Sequence, residues 1–341
     1  MRAMILTQIA SLAERPDPLE PADLPTPEPG PSEILVEVSA CGVCHTELDE
    51  IEGRTPPPEL PVVPGHEVVG RVAARGSDAT LHAVGDRVGI GWIHSSDGSA
   101  EENLSEAFVA TGRDVNGGYA EFMTVPESYA FRIPERFSDA AAAPLLCAGA
   151  IGYRSLRLAA IEDGDRLGLT GFGASGHLVL QLARYLYPDS EIFVFARDPD
   201  TRDFARELGA AWAGATEDRS PEPLRAIIDT TPAWKPVVEA LASLAPGGRL
   251  VINAIRKEAG DQDSLLNLVY HEHLWMEREI KSVANITRKD IAEFLPIAAE
   301  IPIEPTVETY PLEQANRALR ELRAGGARGA KVLVLRPSQS S

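Results

Sequence analysis

The chain is poor in cysteine, in basic charge and in long apolar runs. Three cysteines among 341 residues are an odd number and too few for a disulfide framework, so a reducing cytoplasm is the expected setting. No apolar run approaches the roughly 18 residues of a membrane-spanning helix. The opening Met1-Arg-Ala-Met-Ile-Leu-Thr7 lacks the apolar stretch of a secretory signal, and none is expected. Thirty-two basic residues, mostly arginine, face 51 acidic ones, for a net charge of −19. That balance argues against nucleic acid or an anionic membrane as partner. It reads as an ordinary solvated acidic surface, with salt adaptation as the rival. What is present is enough apolar material (44%) for a soluble core, and enough length for two domains.

The pattern changes along the chain. Seven prolines between Pro16 and Pro31 predict extended loop. Glu33–Ser39, Val68–Val72 and Asp86–Ile90 predict short strands, so about the first 130 residues read as β-rich. From Ser138 the character alters. Ala140 through Pro144 to Leu158 reads as one helix. Strands at Arg166–Thr170, Glu191–Phe195, Ile227–Ile228 and Arg249–Ile252 then alternate with helices, which implies a parallel sheet. From about residue 286 the pattern is mixed again, ending in strand Lys331–Leu335, with Arg336–Ser341 expected to fray.

The best-defined local motif is Gly171-Phe-Gly-Ala-Ser-Gly176, a G-x-G-x-x-G loop between a predicted strand and an amphipathic helix. Gly171 permits the tight turn, Gly173 the approach of a pyrophosphate, and Gly176 the packing of helix on strand. The helix N-terminus then meets the anion. About 20 residues on, an acidic residue would bind the ribose of NAD. Here Ala196 and Arg197 stand there, leaving room for a 2′-phosphate and a guanidinium to pair with it. NADP(H) is therefore favoured over NAD(H). The competing reading gives the ribose to Asp198.

Cys44, His66 and Cys147 are two thiols and an imidazole, the donors one catalytic zinc takes when a fourth position is left for substrate. Singly, each cysteine would read as a small buried apolar residue. Cys41 and Cys44 form C-x-x-C, whose rival reading is a redox pair. No thioredoxin-like context surrounds it, so Cys41 is expected to be a packed thiol. Cys147 is expected to open a helix.

The motifs around these residues are Ala40-Cys-Gly-Val-Cys-His-Thr46, Pro64-Gly-His-Glu-Val68 and Pro144-Leu-Leu-Cys-Ala148. With Val84-Gly-Asp-Arg-Val88, Asn116-Gly-Gly-Tyr-Ala-Glu121, the glycine loop and Ser282–Arg288, the sequence resembles the zinc-dependent alcohol dehydrogenases of the medium-chain dehydrogenase/reductase (MDR) superfamily over nearly its whole length. The resemblance implies an α/β protein. A GroES-like β-rich catalytic domain, residues 1–147 and 286–341, is joined to a doubly wound Rossmann domain, residues 148–285, with the active site in a cleft between them. It implies that Cys44, His66 and Cys147 hold the catalytic zinc and that Glu67 can exchange with its bound water or substrate. It gives His45 a place near the pyrophosphate, Thr46 the hydroxyl that meets the substrate oxygen, and Trp92 a wall of the substrate pocket. A homo-oligomer, specifically a dimer built on the Rossmann domains, is expected.

Three departures qualify the likeness. Relatives carry a structural zinc on four cysteines after the position of Trp92. Trp92–Ser105 has no cysteine, so one catalytic zinc and no structural zinc is expected, with His94 facing solvent. Asp49 stands where many relatives end a proton relay in histidine. It is either a replacement proton carrier or a surface carboxylate. Ala330 replaces a pyrophosphate-binding arginine, which Arg328 or Lys331 could stand in for. The leading function is hydride transfer between NADP(H) and a small alcohol, aldehyde or ketone. Two alternatives are reduction of a C=C or C=N bond, and a non-enzymatic dinucleotide-binding protein.

Overall fold

A computed structural model of the protein describes residues 1–325 and 329–335. The chain divides into two compact units. One comprises Met1–Cys147, Ile286–Ala299 and Glu304–Ser341; the other comprises Ala148–Asn285 and Glu300–Ile303. No helix among the described residues is long and apolar enough to cross a membrane.

The first unit opens with strands β1 (Arg2–Leu6), β2 (Leu19–Asp23) and β3 (Glu33–Val43), then helix α1 (His45–Ile51). Strands β4 (Val68–Arg75), β5 (Arg87–Ile90), β6 (Ile93–Ser95), β7 (Val109–Ala110), β8 (Phe122–Pro126) and β9 (Ala130–Arg132) follow, then the short helix α2 (Asp139–Ala142). In the second unit α3 (Ala148–Ala159) leads into β10 (Leu167–Thr170), α4 (Ala174–Leu186), β11 (Ile192–Phe195), α5 (Pro199–Glu207) and β12 (Trp212–Gly214). β13 (Leu224–Asp229), α6 (Lys235–Leu241), β14 (Leu244–Ile252), α7 (Tyr270–His273) and β15 (Glu279–Ser282) complete it. The chain then returns through α8 (Arg288–Glu300), β16 (Val307–Pro311), α9 (Ala315–Ala324) and β17 (Ala330–Val334).

The first unit is built on a seven-stranded mixed sheet, ordered β16-β17-β3-β4-β5-β9, with β8 also on β3. β3 is central and pairs antiparallel with β17, β4 and β8. Ile34, Val36, Val38, Ala40 and Cys41 are all buried, so Cys41 is a packed thiol. The strand runs four residues past the predicted Ser39, carrying the chain straight to Cys44.

The second unit holds a six-stranded sheet ordered β12-β11-β10-β13-β14-β15, every pair parallel. Counted along the chain this is 3-2-1-4-5-6, the doubly wound Rossmann order. Phe193, Phe195, Ile227, Leu241 and Leu250 form part of its core. Each such burial contributes about 1.5–3 kcal/mol relative to exposure.

The predicted helix from Ala140 to Leu158 is broken. α2 ends at Ala142, a 3₁₀ turn spans Ala143–Leu146, and Cys147 has φ −126° and ψ −74° before α3 begins. Pro144 has no N–H to continue the α-helical ladder, so a tighter turn takes over; Ala143 before it keeps helical angles, and the chain leaves the helical region at Cys147. Cys147 thus sits at a corner immediately before α3.

Candidate active site

β3 delivers Cys44 to the N-cap of α1 in an extended conformation, φ −113° and ψ 165°. Three residues on, Glu47 reaches back, and its Oε2 accepts the Cys44 backbone N–H at 2.7 Å. This is half of a capping box, a common way to start a helix. The other Glu47 oxygen contacts His66 Nδ1 at 2.5 Å. Glu47 is fully buried, so one carboxylate ties the first turn of α1 to the histidine ring.

His66 follows Gly65, whose φ of +98° is a glycine conformation. A Cβ at Gly65 would meet the Tyr119 ring at 2.3 Å and Cys41 Sγ at 2.8 Å. The tight fit of this turn presents His66 and Glu67 just ahead of β4. Glu67 lies over β3 where Gly42 has no side chain; a Cβ there would meet Glu67 Oε2 at 1.7 Å.

These elements bring Cys44, His66, Glu67 and Cys147 together, with one potential ligand atom from each and all within 4.8 Å of one another. His66 Nδ1 is engaged by Glu47, which leaves Nε2 for a ligand. Nε2 is buried and makes no well-formed hydrogen bond among the described residues. Burial opposes charge on His66, but the negative charge of Glu47 and contact with Cys44 raise its pKa well above the usual value. Hydrogen bonding with Cys147 and then the contact with His66 outweigh burial and lower the Cys44 thiol well below its ordinary range. Cys147 is raised in turn, by that same hydrogen bond and by burial. Burial and then the Cys44 charge push Glu67 upward. Two sulfurs, one imidazole and a carboxyl group gathered this closely suit zinc.

Glu47 was not singled out from the sequence. An acid in the first turn of a helix reads as a response to the helix dipole. The available signal was its position three residues after Cys44, the capping-box spacing with cysteine in place of serine or threonine. Partners of this kind orient the ligand. Glu47→Gln is expected to weaken zinc binding by about 10–100-fold, measured by competition with a chelator, whereas loss of the cap alone would lower thermal stability and leave metal affinity unchanged.

The other expected site residues of this unit are distributed as follows. Thr46 is half-buried, with Oγ1 3.6 Å from Cys44 Sγ. His45 is exposed at the start of α1. Trp92 is half-buried, and its Nε1 donates to Glu50 Oε1 at 3.3 Å. Its ring centre lies 6.3 Å from that of His66 and 5.5 Å from that of Phe108.

Three expectations are corrected. Asp49 is not a surface carboxylate: it is buried and ion-paired with Arg54, while its backbone carbonyl accepts the N–H groups of Arg54 and Thr55. His94 does not face solvent: it is buried in β6, and burial lowers its pKa. Lys331 is not available to a pyrophosphate: it is 4% exposed and its Nζ donates to Tyr310 Oη at 2.6 Å, Glu308 at 2.7 Å and Glu321 at 3.2 Å. Arg328 and the tail from Arg336 to Ser341 lie outside the described residues.

The second unit gathers the dinucleotide residues at the carboxyl ends of adjacent strands. Thr170 pairs with Phe195, and the Gly171 N–H donates to Phe195 O at 2.9 Å. The glycine loop and Ala196 therefore leave the sheet side by side. Gly171 has φ +79°, and a Cβ there would meet Thr230 Oγ1 at 2.8 Å. A Cβ at Gly176 would meet Gly171 O at 2.7 Å, whereas one at Gly173 would meet nothing within 4 Å. The outer glycines are needed for packing, and the middle one borders open space of the kind a pyrophosphate occupies. Ala196 is buried and Arg197 exposed. Asp198 caps α5, accepting the Asp200 N–H at 3.0 Å.

A parallel sheet in this order, with a glycine loop leaving its first strand, is the framework of dinucleotide-dependent dehydrogenases. A separate unit carrying a thiolate–imidazole cluster narrows the class to the metal-using medium-chain kind. Residues 30–135 match the alcohol dehydrogenase GroES-like domain family. The chain is 45% identical over 329 residues to the "probable alcohol dehydrogenase AdhA" of Mycobacterium tuberculosis, covering 93% of each. It is 32% identical over 337 residues to an alcohol dehydrogenase of Geobacillus stearothermophilus, covering 93% of this chain and 96% of that one. Among solved structures, a cinnamyl alcohol dehydrogenase of Sorghum bicolor superposes with a TM-score of 0.85 at 26% identity, over 100% of this chain and 99% of that one. The chain belongs to the zinc-dependent alcohol dehydrogenase family of the MDR superfamily, with a GroES-like and a Rossmann domain.

Proposed function

We propose that the protein is a zinc-dependent alcohol dehydrogenase and carbonyl reductase that prefers NADP(H). The observation that carries this reading is the convergence of Cys44, His66, Glu67 and Cys147 within 4.8 Å in a chain of this family. Its domains are 1–147 with 286–341 for the metal and substrate, and 148–285 for the dinucleotide.

Bound there, zinc supplies Lewis acidity toward an oxygen, and the nicotinamide supplies or accepts hydride. The chain's own residues do the rest. Cys44, His66 and Cys147 hold the metal, and Glu47 fixes the tautomer and tilt of His66. Glu67 is a carboxylate able to enter the coordination sphere. Thr46 hydrogen-bonds the substrate oxygen and passes its proton. Trp92 walls the substrate pocket. Gly171, Gly173 and Gly176 admit the pyrophosphate, and His45 is a further cofactor-binding residue. Ala196 leaves space for a 2′-phosphate that Arg197 pairs with. Asp49, tied to Arg54, supports the turn at residues 52–55. One zinc per chain is proposed, since Trp92–Ser105 offers no thiolate. Two thiolate ligands suit a reducing cytoplasm.

The test is a substrate panel with metal content measured beside it. One zinc per chain, and NADPH-dependent reduction of aldehydes to alcohols, support the proposal. Conversion of an enal to the saturated aldehyde with no allylic alcohol formed would assign the C=C reduction instead. NADPH binding without stoichiometric zinc would leave only a dinucleotide-binding protein.

A homodimer through the Rossmann domain is also proposed. All four residues of β15 are exposed, and β15 is the terminal strand of its sheet. Tyr270, Trp275, Met276 and Ile280 form an exposed apolar set around it. A bare strand edge with apolar neighbours invites pairing with a second copy about a two-fold axis. Trp275→Glu with Ile280→Glu is expected to give monomers by light scattering where the parent is dimeric. A parent chain that is itself monomeric would remove the proposal.

A further inference from the structure

Helix α1 buries three carboxyl side chains, Glu47, Asp49 and Glu50. Glu47 holds His66 and Cys44, and Asp49 holds Arg54. Glu50 has no hydrogen-bonded cation of that kind, although His66 and Arg113 lie near enough to favour its charged form. It is 2% exposed, its Oε1 accepts the Trp92 indole N–H, and its Oε2 is buried with no partner among the described residues. Leucine could be buried here at no polar cost, whereas a half-satisfied carboxyl cannot. Burial, and then the charge of Glu47, push the Glu50 carboxyl well above the usual carboxylate range, which favours the neutral acid. The site thus keeps a polar side chain whose one hydrogen bond among the described residues is to the indole.

The indole needs such a contact. Trp92 is half-buried, tilted 59° to the His66 ring and 56° to the Phe108 ring. Neither of these tilted ring contacts takes up its N–H, which donates to Glu50. Without Glu50 the ring would be free to turn until the N–H found water. We propose that Glu50 is a positioning residue for substrate specificity, which fixes the tilt of Trp92 through the indole N–H and thereby sets the shape of the substrate pocket. This rests on the proposed place of Trp92 as a pocket wall.

The test uses the zinc-loaded enzyme and its Glu50→Gln, Glu50→Leu, Trp92→Phe and Glu50→Leu/Trp92→Phe variants, with metal content and Tm recorded for each. The readout is the ratio of kcat/KM for benzyl alcohol to that for ethanol. Glu50→Leu is expected to change this ratio by about five- to tenfold, the worth of one hydrogen bond. Glu50→Gln, whose amide oxygen still accepts the N–H, should keep it within about twofold of the parent. In the Trp92→Phe background, Glu50→Leu should again change it by less than about twofold, because the shared contact is already gone. A ratio unmoved by Glu50→Leu, or moved equally in both backgrounds, overturns the proposal. If Trp92→Phe alone leaves the ratio unchanged, the wall reading of Trp92 fails and this proposal with it, while the metal content and turnover still test the zinc reading separately.

Discussion

Replacing His66 with alanine is expected to remove the metal and the activity together, and Cys44→Ala should do the same. Both residues are held by the chain rather than by the metal alone. His66 is locked by Glu47, and the Cys44 backbone is locked by the same carboxylate. Losing the charge stabilisation of a metal site costs several kcal/mol at the transition state. At 1.36 kcal/mol per decade this is a fall of about a thousandfold or more. Metal per chain and turnover, measured on the same preparation, check it. Retained turnover in a metal-free Cys44→Ala protein would refute a metal-dependent mechanism.

The second large effect concerns the dinucleotide. Arg197→Ala is expected to weaken NADPH binding by about 10–100-fold, with NADH changed by no more than about threefold. A charge-assisted hydrogen bond to a phosphate is worth about 1.5–3 kcal/mol, and NADH has no phosphate there to lose. Arg197 is exposed and directly follows the buried Ala196 at the end of β11. The side chain of Asp198 caps α5, which disfavours its use on a ribose. Titration of cofactor fluorescence with both dinucleotides decides the matter. Equal losses for the two would give Arg197 a general electrostatic role. Tighter NADH than NADPH in the parent enzyme would return the ribose to Asp198.

Much of this architecture was legible in the sequence because it rests on local rules. A strand, a spaced set of glycines and an amphipathic helix predict a dinucleotide loop wherever they occur in that order, and Gly171–Gly176 occupies that place in the structure. Alternation of strands and helices after residue 160 predicted a parallel sheet. What escaped depends on which buried groups meet. The helix through Ala140–Leu158 looked continuous because it opens on a run of alanines, yet α2 ends at Ala142 ahead of Pro144 and the chain turns at Cys147. His94 and Lys331 read as solvent-facing or available because their types usually are. Their burial follows from neighbours far away in sequence, such as Tyr310 and Glu321 around Lys331. Asp49 and Arg54 are only five residues apart, but nothing in that spacing distinguishes a buried pair from two surface charges. Glu47, Asp49 and Glu50 sit in one short acidic run, and all three turn inward.

The double engagement of Glu47 has a thermodynamic result. The same carboxylate closes the first turn of α1 and grips the imidazole, so the start of the helix and the placement of His66 are coupled. Chelation should therefore soften more than the ion's immediate surroundings, with the amides at the start of α1 exchanging faster with solvent as occupancy falls.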